Sequence, residues 1–119
     1  MKLKHFRLSE FDSPDQPGSG AKMQPDFLRM LDRSRELAGV PFKITSGYRS
    51  KEHNKLVGGV SRSSHLTGWA ADISCIDNRS RYHILCALIQ VGFCRIGVAR
   101  SFIHVDDDPT KPADVWWLY

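Results

Sequence analysis

The stretch SSHLTGWAADI at residues 63–73 joins a polar loop to a strand. Residues 61–68 are rich in Ser, Thr and Gly, which is typical of a loop, and β-strand character follows directly. Alternation in the strand places Asp72 on one face and its apolar neighbours Ala71 and Ile73 on the other. A carboxylate in an apolar strand is costly to bury without a positive partner, so Asp72 predicts a cation close to it.

A second strand of the same kind follows at residues 102–106, with the sequence FIHVD. Alternation puts His104 and Asp106 on one face of this strand. Two strands therefore each direct a polar residue to one face, and the loop residue His65 can complete the set with Asp72. Two His and one Asp leave one position open on a tetrahedral Zn²⁺, which is the arrangement of a catalytic zinc site.

Spacing alone leaves other interpretations open. Asp72 could pair with a buried arginine, and His104 could donate a hydrogen bond to a backbone carbonyl group.

The rest of the chain predicts an α+β fold with a small, mostly antiparallel sheet flanked by helices, because helices and strands mix without regular βαβ alternation. Residues 1–119 are expected to form one domain. The expected helices run from Pro25 to the residue before Gly39, from 51 to 57 after the cap Ser50, and from Asn78 or Ser80 to about Val91. The expected strands cover residues 42–46, 69–75, 95–98, 102–106 and 114–118.

Composition sets broad limits on function. Hydrophobic residues make up 41% and charged residues 25%, which is typical of a globular protein. The formal charge of +4 favours polyanionic surroundings, but the basic residues are scattered, so we expect no nucleic-acid partner. No apolar run of membrane-spanning length occurs, so we expect no insertion into a membrane. The N-terminal stretch lacks a signal-peptide pattern, so we expect the protein to be synthesised in the cytoplasm.

The three cysteines are predicted to form no structural disulfide, since they cannot all pair and none lies in a CxxC motif. Cys86 lies among Ile84, Leu85, Leu88 and Ile89, and we expect it to be a buried free thiol.

The motif Ser63-x-His65-x-x-Gly68-x-Ala70-x-Asp72, followed by FIHVD at residues 102–106, resembles the zinc signature of the D-alanyl-D-alanine peptidase family. This family includes DD-carboxypeptidases, D-Ala-D-Ala dipeptidases and phage endolysins. The segment ITSGYRS at residues 44–50, residues 54–59 and the opening FRLSEF at residues 6–11 are also similar to it. The resemblance covers roughly residues 6–106 and implies a hedgehog/DD-peptidase-like fold.

The resemblance implies a role for each matched residue. His65, Asp72 and His104 correspond to the zinc ligands. Arg49 corresponds to an arginine that stabilises the oxyanion formed at the scissile carbonyl group, although a structural pairing with an acidic side chain remains an alternative. Ser63 matches a position that faces the substrate carboxylate in some members, and a role in shaping the loop is the alternative.

The sequence departs from the family pattern at the general base. Many relatives have a Glu three residues before the last zinc histidine or a His two residues before it, where this chain has Ser101 and Phe102. Asp106 is the best substitute because it shares a strand face with His104, and it could act as the base or orient His104. Asp107 and Asp108 are expected to face solvent.

The resemblance therefore implies a zinc-dependent metallopeptidase that hydrolyses peptidoglycan stem peptides containing D-amino acids, as a carboxypeptidase or an endolysin-type endopeptidase. We expect a monomer that acts on the cell wall after release or export, as a phage lysin does. A zinc-containing wall-binding module without activity is the main alternative, supported by the missing Glu. A metal-dependent nuclease would need a basic track and phosphate-binding elements, which the sequence lacks.

Overall fold

Helix α1 begins at a proline and ends before a glycine, and both residues have a structural reason. In a computed structural model that describes residues 2–119, α1 spans Pro25–Ala38, with Pro25 in the first turn, where its missing N–H group is not needed. Gly39 ends the helix with φ 68°, a left-handed conformation that glycine adopts at low cost.

The other two helices begin at side-chain caps. Helix α2 spans Lys51–Leu56, and the predicted cap Ser50 accepts a hydrogen bond from the backbone N–H of His53. Helix α3 spans Asn78–Val91, and its cap is Asp77, which accepts from the backbone N–H of Ser80 at 2.9 Å. Residues 2–119 also contain three short 3-10 helices, at Leu8–Phe11, Ser19–Lys22 and Ser64–Thr67.

Five strands form one sheet within the described residues, in the order β1-β2-β4-β3-β5. Three of the four strand pairings are antiparallel, and β3 with β5 is the parallel pair. The predicted α+β class with a mostly antiparallel sheet is confirmed, and the strands lie within about two residues of their expected positions. They are β1 (Ile44–Ser46), β2 (Ala70–Ser74), β3 (Arg95–Val98), β4 (Phe102–Asp106) and β5 (Val115–Leu118).

The two faces of the sheet have different chemistry because the side chains alternate. On one face the central strands contribute Ala71, Ile73, Ile96, Ile103 and Val105, each at most 1% exposed. These residues form a single core cluster with apolar side chains of α1 and α3, so both helices cover this face. The opposite face is left for the polar residues at the alternate positions.

The cysteines are free, as predicted, but one of them is not where we expected it. Cys75 is buried and Cys94 partly buried, whereas Cys86 is exposed, so the prediction of a buried thiol at Cys86 was wrong. The reason is helical geometry: the buried stripe of α3 includes Ile84 and Leu88, and Cys86 lies two residues from each, on the other side of the helix.

No helix among residues 2–119 combines the length and the apolar character that crossing a lipid bilayer requires.

Candidate metal centre

The polar face of strands β2 and β4 forms the floor of the site. In the antiparallel register Asp72 lies directly opposite His104, and Gly97 of β3 lies opposite His104 on its other side. Directly opposed residues have Cβ atoms roughly 5 Å apart, so the carboxylate and the imidazole are neighbours on one face. The sheet therefore brings together two residues that are 32 positions apart in the chain.

His65 reaches this floor from the 3-10 helix at Ser64–Thr67, inside the segment predicted as a loop. Ser63 caps that helix, and its Oγ accepts a hydrogen bond from the backbone N–H of His65 at 3.2 Å. The backbone carbonyl of His65 accepts from the backbone N–H of Arg49 at 3.1 Å. These contacts fix the backbone from which the imidazole projects.

The three residues predicted as zinc ligands converge on one point. One donor atom from each of His65, Asp72 and His104 lies within 4.8 Å of the other two. Asp72 Oδ1 is 3.4 Å from His65 Nε2 and 2.9 Å from His104 Nδ1. The side chains are 3%, 13% and 10% exposed, respectively, so the cluster is shielded from bulk water.

The other nitrogen of each imidazole has a fixed acceptor. His65 Nδ1 donates to the carbonyl oxygen of Gly47 at 2.8 Å, and His104 Nε2 donates to Asp106 Oδ2 at 2.7 Å. With those protons placed, His65 Nε2 and His104 Nδ1 are the nitrogens that face Asp72. Metal-binding histidines almost always donate their second N–H to a carbonyl or a carboxylate. Two imidazole nitrogens and a carboxylate oxygen also suit Zn²⁺, so these residues fit that metal.

Gly47 can hold His65 because its backbone passes very close to Phe11. A Cβ atom on Gly47 would lie 2.7 Å from Phe11 Cα and 2.9 Å from the Phe11 carbonyl oxygen, closer than packed atoms approach. A glycine is therefore needed at this point, directly after β1, for the carbonyl to reach the imidazole.

Burial and hydrogen bonds set the protonation of the cluster. Burial lowers the pKa of His65, so this imidazole is neutral near pH 7. Burial also disfavours the charged form of His104, but hydrogen bonds to Asp106 and Asp72 outweigh it and raise the pKa of His104. The pKa of Asp72 lies well below its usual range, because its contacts with His104 and His65 outweigh the cost of burying a carboxylate. A cation bound at these atoms would displace protons from them.

Arg49 lies next to this cluster and has three partners. Its Nη2 is 3.4 Å from Asp72 Oδ2, its Nε donates to Ser46 Oγ at 2.9 Å, and its Nη1 donates to Asn54 Oδ1 at 3.2 Å. The pairing with Asp72 is the structural role left open above. Arg49 also lines the pocket over the cluster, so its guanidinium group can meet a ligand there.

Asp106 is hydrogen-bonded to His104 and is 2% exposed. Its Oδ2 accepts from His104, while Oδ1 accepts from Arg95 Nε at 2.6 Å and from the backbone N–H of Asp108 at 3.3 Å. These bonds lower the pKa of Asp106 despite its burial. Both oxygens are therefore engaged, which favours the orienting role over that of a base.

One expectation about the residues after β4 was wrong. Asp108 was expected in solvent, but it is 7% exposed and accepts a hydrogen bond from Ser64 Oγ at 2.7 Å. The strand ends at Asp106, so the alternation used in that prediction no longer applies to Asp108. Asp107 is partly exposed.

A cavity of about 350 Å³ opens over the cluster and contains all six predicted site residues among its lining. The cavity lining also includes four residues that were not predicted from the sequence, namely Arg95, Lys111, Trp117 and Tyr119. Arg95 carried a usable signal, because it is a charged residue within a short apolar strand, as Asp72 is. The other three follow β4, and nothing in their spacing indicates that the chain returns to the site.

Comparison with known proteins agrees with this geometry. The family model described as Peptidase M15 matches residues 4–106 of the chain. No curated protein matches the chain. The matched segment contains the whole His-Asp-His cluster, together with Arg49, Ser63 and Asp106.

Proposed function

This chain belongs to the peptidase M15 family, and from that membership we propose that it is a zinc metallopeptidase that hydrolyses peptidoglycan stem peptides containing D-amino acids. The observation that carries the proposal is the convergence of His65 Nε2, Asp72 Oδ1 and His104 Nδ1, with the outer nitrogen of each imidazole already bound. A buried set of two imidazoles and one carboxylate is the ligand set of a catalytic zinc site with an open position.

His65, Asp72 and His104 would hold the zinc. Bound at that point, zinc would supply Lewis acidity for a scissile carbonyl group and lower the pKa of a water molecule toward neutrality. Ionised Asp72 and neutral His65 are already in the protonation states that ligation requires.

Arg49 stabilises the negative charge that develops on the scissile carbonyl oxygen. Its guanidinium group lines the cavity and is held in place by Ser46 and Asn54, so little reorganisation is needed during the reaction. A fixed cation at a developing oxyanion contributes a few kcal/mol to lowering the barrier, about 3 or 4 in a well-formed site. Ser63 also lines the cavity and can meet a substrate carboxylate from its position beside the cluster.

Asp106 has two candidate roles, orienting His104 or accepting a proton as the general base, and its contacts favour the first. Asp72 and Asp106 are the two carboxylates among the described residues that line the cavity. Because Asp106 is bonded to His104 and Arg95, we propose that it orients His104 and increases the basicity of that ligand. A proton-accepting role for Asp106 stays a prediction, tested below.

We propose that the natural substrate is a stem peptide of the cell wall, cut by a carboxypeptidase or endolysin-type reaction. The protein would act as a monomer on the wall after release or export, as a phage lysin does, without nucleic acid as a partner.

The decisive experiment is mass spectrometry of purified stem peptides after incubation with the zinc-loaded chain. We expect cleavage at one defined peptide bond, abolished in Asp72→Ala and retained in His83→Ala, a control that removes a histidine of α3 outside the cavity. Intact peptides in the presence of a fully zinc-loaded protein would reject the peptidase proposal.

A zinc-containing module that binds the wall without cutting it is the second candidate. The observation that favours it is the engagement of both cavity carboxylates, which leaves no free carboxylate as a base. Binding of stem peptides without turnover in the same experiment would select this function.

A further inference from the structure

The C-terminal strand β5 forms one wall of the cavity and lies outside the segment that matches the family. The match ends at residue 106, whereas β5 spans Val115–Leu118. Trp117 and Tyr119 line the cavity with the site residues.

Alternation separates two sets of side chains on β5. Trp117 and Tyr119, the residue directly after the strand, line the cavity, whereas Trp116 and Leu118 lie on the other side of β5. The strand thus carries two adjacent tryptophans, of which one reaches the site. Trp116 is a matched internal control for Trp117.

Gly97 makes room for this wall. It lies beside Trp117 in the parallel pairing of β3 and β5, and beside His104 in the pairing of β3 and β4. A Cβ atom at Gly97 would lie 2.4 Å from Trp117 Nε1 and 2.8 Å from Tyr119 Cε2. Any side chain here would collide with both rings, so the glycine allows them to lie across the strand.

The rings form a continuous surface that starts at the metal cluster. The Trp117 ring centroid is 5.5 Å from that of His104 and 6.4 Å from that of Tyr119. Phe102 extends the surface, with its centroid 5.0 Å from that of Tyr119. Arg95 Cζ lies 5.3 Å from the Trp117 ring centroid. Because Arg95 also donates a hydrogen bond to Asp106, it connects the aromatic rings to the residues of the cluster.

We propose that Trp117 and Tyr119 are substrate-contacting residues that determine specificity by binding aliphatic C–H surface next to the scissile bond. Rigid aromatic faces offer a large contact area at low cost in conformational entropy, and ligand sites combine such faces with a few polar groups. The inference rests on the proposed action on stem peptides. In that substrate, aliphatic C–H surface comes from alanine side chains or from the pyranose ring of an attached amino sugar.

The test measures binding and turnover separately, on the full chain. Equilibrium binding of a stem peptide, with and without its N-acetylmuramyl sugar, is measured by calorimetry after zinc removal, and KM and kcat are measured with zinc. We expect Trp117→Ala to weaken binding and raise KM about tenfold, which corresponds to about 1.4 kcal/mol. Trp116→Ala should behave as wild type, and zinc content should be unchanged in both.

Gly97→Ala should reproduce the loss seen in Trp117→Ala, because it displaces both rings without removing either. Tyr119→Ala provides a second variant if Gly97→Ala does not fold, as judged by circular dichroism. A larger loss for the sugar-bearing peptide identifies the pyranose ring as the contact, and an equal loss identifies the peptide side chains.

Equal affinity and equal KM for Trp117→Ala and Trp116→Ala would overturn the inference while leaving the peptidase proposal intact. If wild type binds the peptides more tightly than Trp117→Ala but does not hydrolyse them, the substrate-contacting role of Trp117 would be supported and the peptidase proposal rejected. A wild-type chain that binds neither peptide would overturn both.

Discussion

His104 is held between two carboxylates, and its two nitrogens have different tasks. Asp72 Oδ1 is 2.9 Å from Nδ1, and Asp106 Oδ2 is 2.7 Å from Nε2. The second of these bonds is buttressed by Arg95, which donates to Asp106 at 2.6 Å. Asp106, itself held by Arg95, thus determines that Nδ1 is the nitrogen of His104 that is available to a metal.

One substitution can distinguish the two candidate roles of Asp106. In Asp106→Asn the side-chain oxygen can still accept from His104, but the negative charge is lost. If Asp106 orients His104, we expect zinc affinity to fall roughly 10–100-fold, with activity restored by added zinc. Zinc affinity is measured by competition with a chelating dye, and kcat at saturating zinc.

The opposite result would identify Asp106 as the base. Zinc affinity would then stay at the wild-type value while kcat falls roughly 10²–10⁴-fold. Asp107→Asn is the control, because it removes the neighbouring carboxylate, which lies outside the cavity.

Arg49→Lys tests whether Arg49 acts on the transition state. Lysine keeps the charge but lacks the planar guanidinium fork that reaches Ser46, Asn54 and Asp72 at once, so the loss should be partial. We expect kcat to fall more than KM rises, because an interaction made in the transition state leaves ground-state binding nearly unchanged. Arg62→Lys, at an exposed position, should have no effect.

A raised KM with unchanged kcat would instead make Arg49 a substrate-binding residue. Loss of folded protein, seen by circular dichroism in Arg49→Lys, would show that its pairing with Asp72 is structural.

Among the secondary-structure elements, helix α3 is stabilised at its start by a charged cap. The Asp77 carboxylate accepts from the backbone N–H of Ser80, and this bond lowers the pKa of Asp77 below its usual range. The carboxylate also lies at the positive end of the helix dipole. Helix α3 packs on α1 and contributes Ile84 and Leu88 to the core.

Asp77→Ala should therefore lower the midpoint of thermal unfolding at pH 7. Because the pKa of Asp77 is lowered on folding, its charge stabilises the fold above about pH 4, and this contribution is lost as pH falls through the folded pKa. The difference from wild type should narrow on acidification, measured by circular dichroism melting at several pH values.

Asp77→Asn is the matched control, since asparagine caps as well as aspartate but carries no charge. At pH 7 its unfolding midpoint should lie between those of wild type and Asp77→Ala, because the cap is kept but the stabilising charge is lost. A deficit of Asp77→Ala that stays constant down to pH 2 would show that the charge of Asp77 has no part in the cap.

On the scale of the whole molecule, the His-Asp-His cluster joins three parts of the fold. His65 comes from a 3-10 helix, Asp72 from β2 and His104 from β4, and Gly47 and Arg49 tie the end of β1 to the same cluster. A metal that binds all three ligands binds the folded chain far better than the unfolded chain, so metal binding stabilises the fold.

Zinc should accordingly raise the midpoint of thermal unfolding, and a chelator should reverse the effect. Free zinc at 100 times its dissociation constant would add about 2.7 kcal/mol to the free energy of unfolding. Differential scanning calorimetry measures the shift, and elemental analysis should find about one zinc per chain.

The same shift should be lost in His65→Ala, Asp72→Ala and His104→Ala, and zinc content should fall sharply in each. His83→Ala should retain both. Full zinc occupancy in all three ligand variants would reject the assignment of these residues.

The sequence by itself predicted the main helices and strands and two members of the His-Asp-His cluster, Asp72 and His104. Proline and glycine bound α1, Ser50 caps α2, and alternation in β2 and β4 puts Asp72, His104 and Asp106 on one face. These features are local, since caps, turns and alternation depend on residues a few positions apart. The assignment of His65 needed the family resemblance as well, because a loop residue has no periodicity.

Only the tertiary structure decided which contacts each site residue makes. The pairing of Arg95 with Asp106, the carbonyl of Gly47 on His65 and the return of β5 beside β3 all join residues distant in the chain. Local patterns cannot predict such pairings, because strand order and register depend on how the sheet closes around its core. Trp117 reaches the cavity for this reason: β5 lies on the far side of β3, where Gly97 leaves space for its ring.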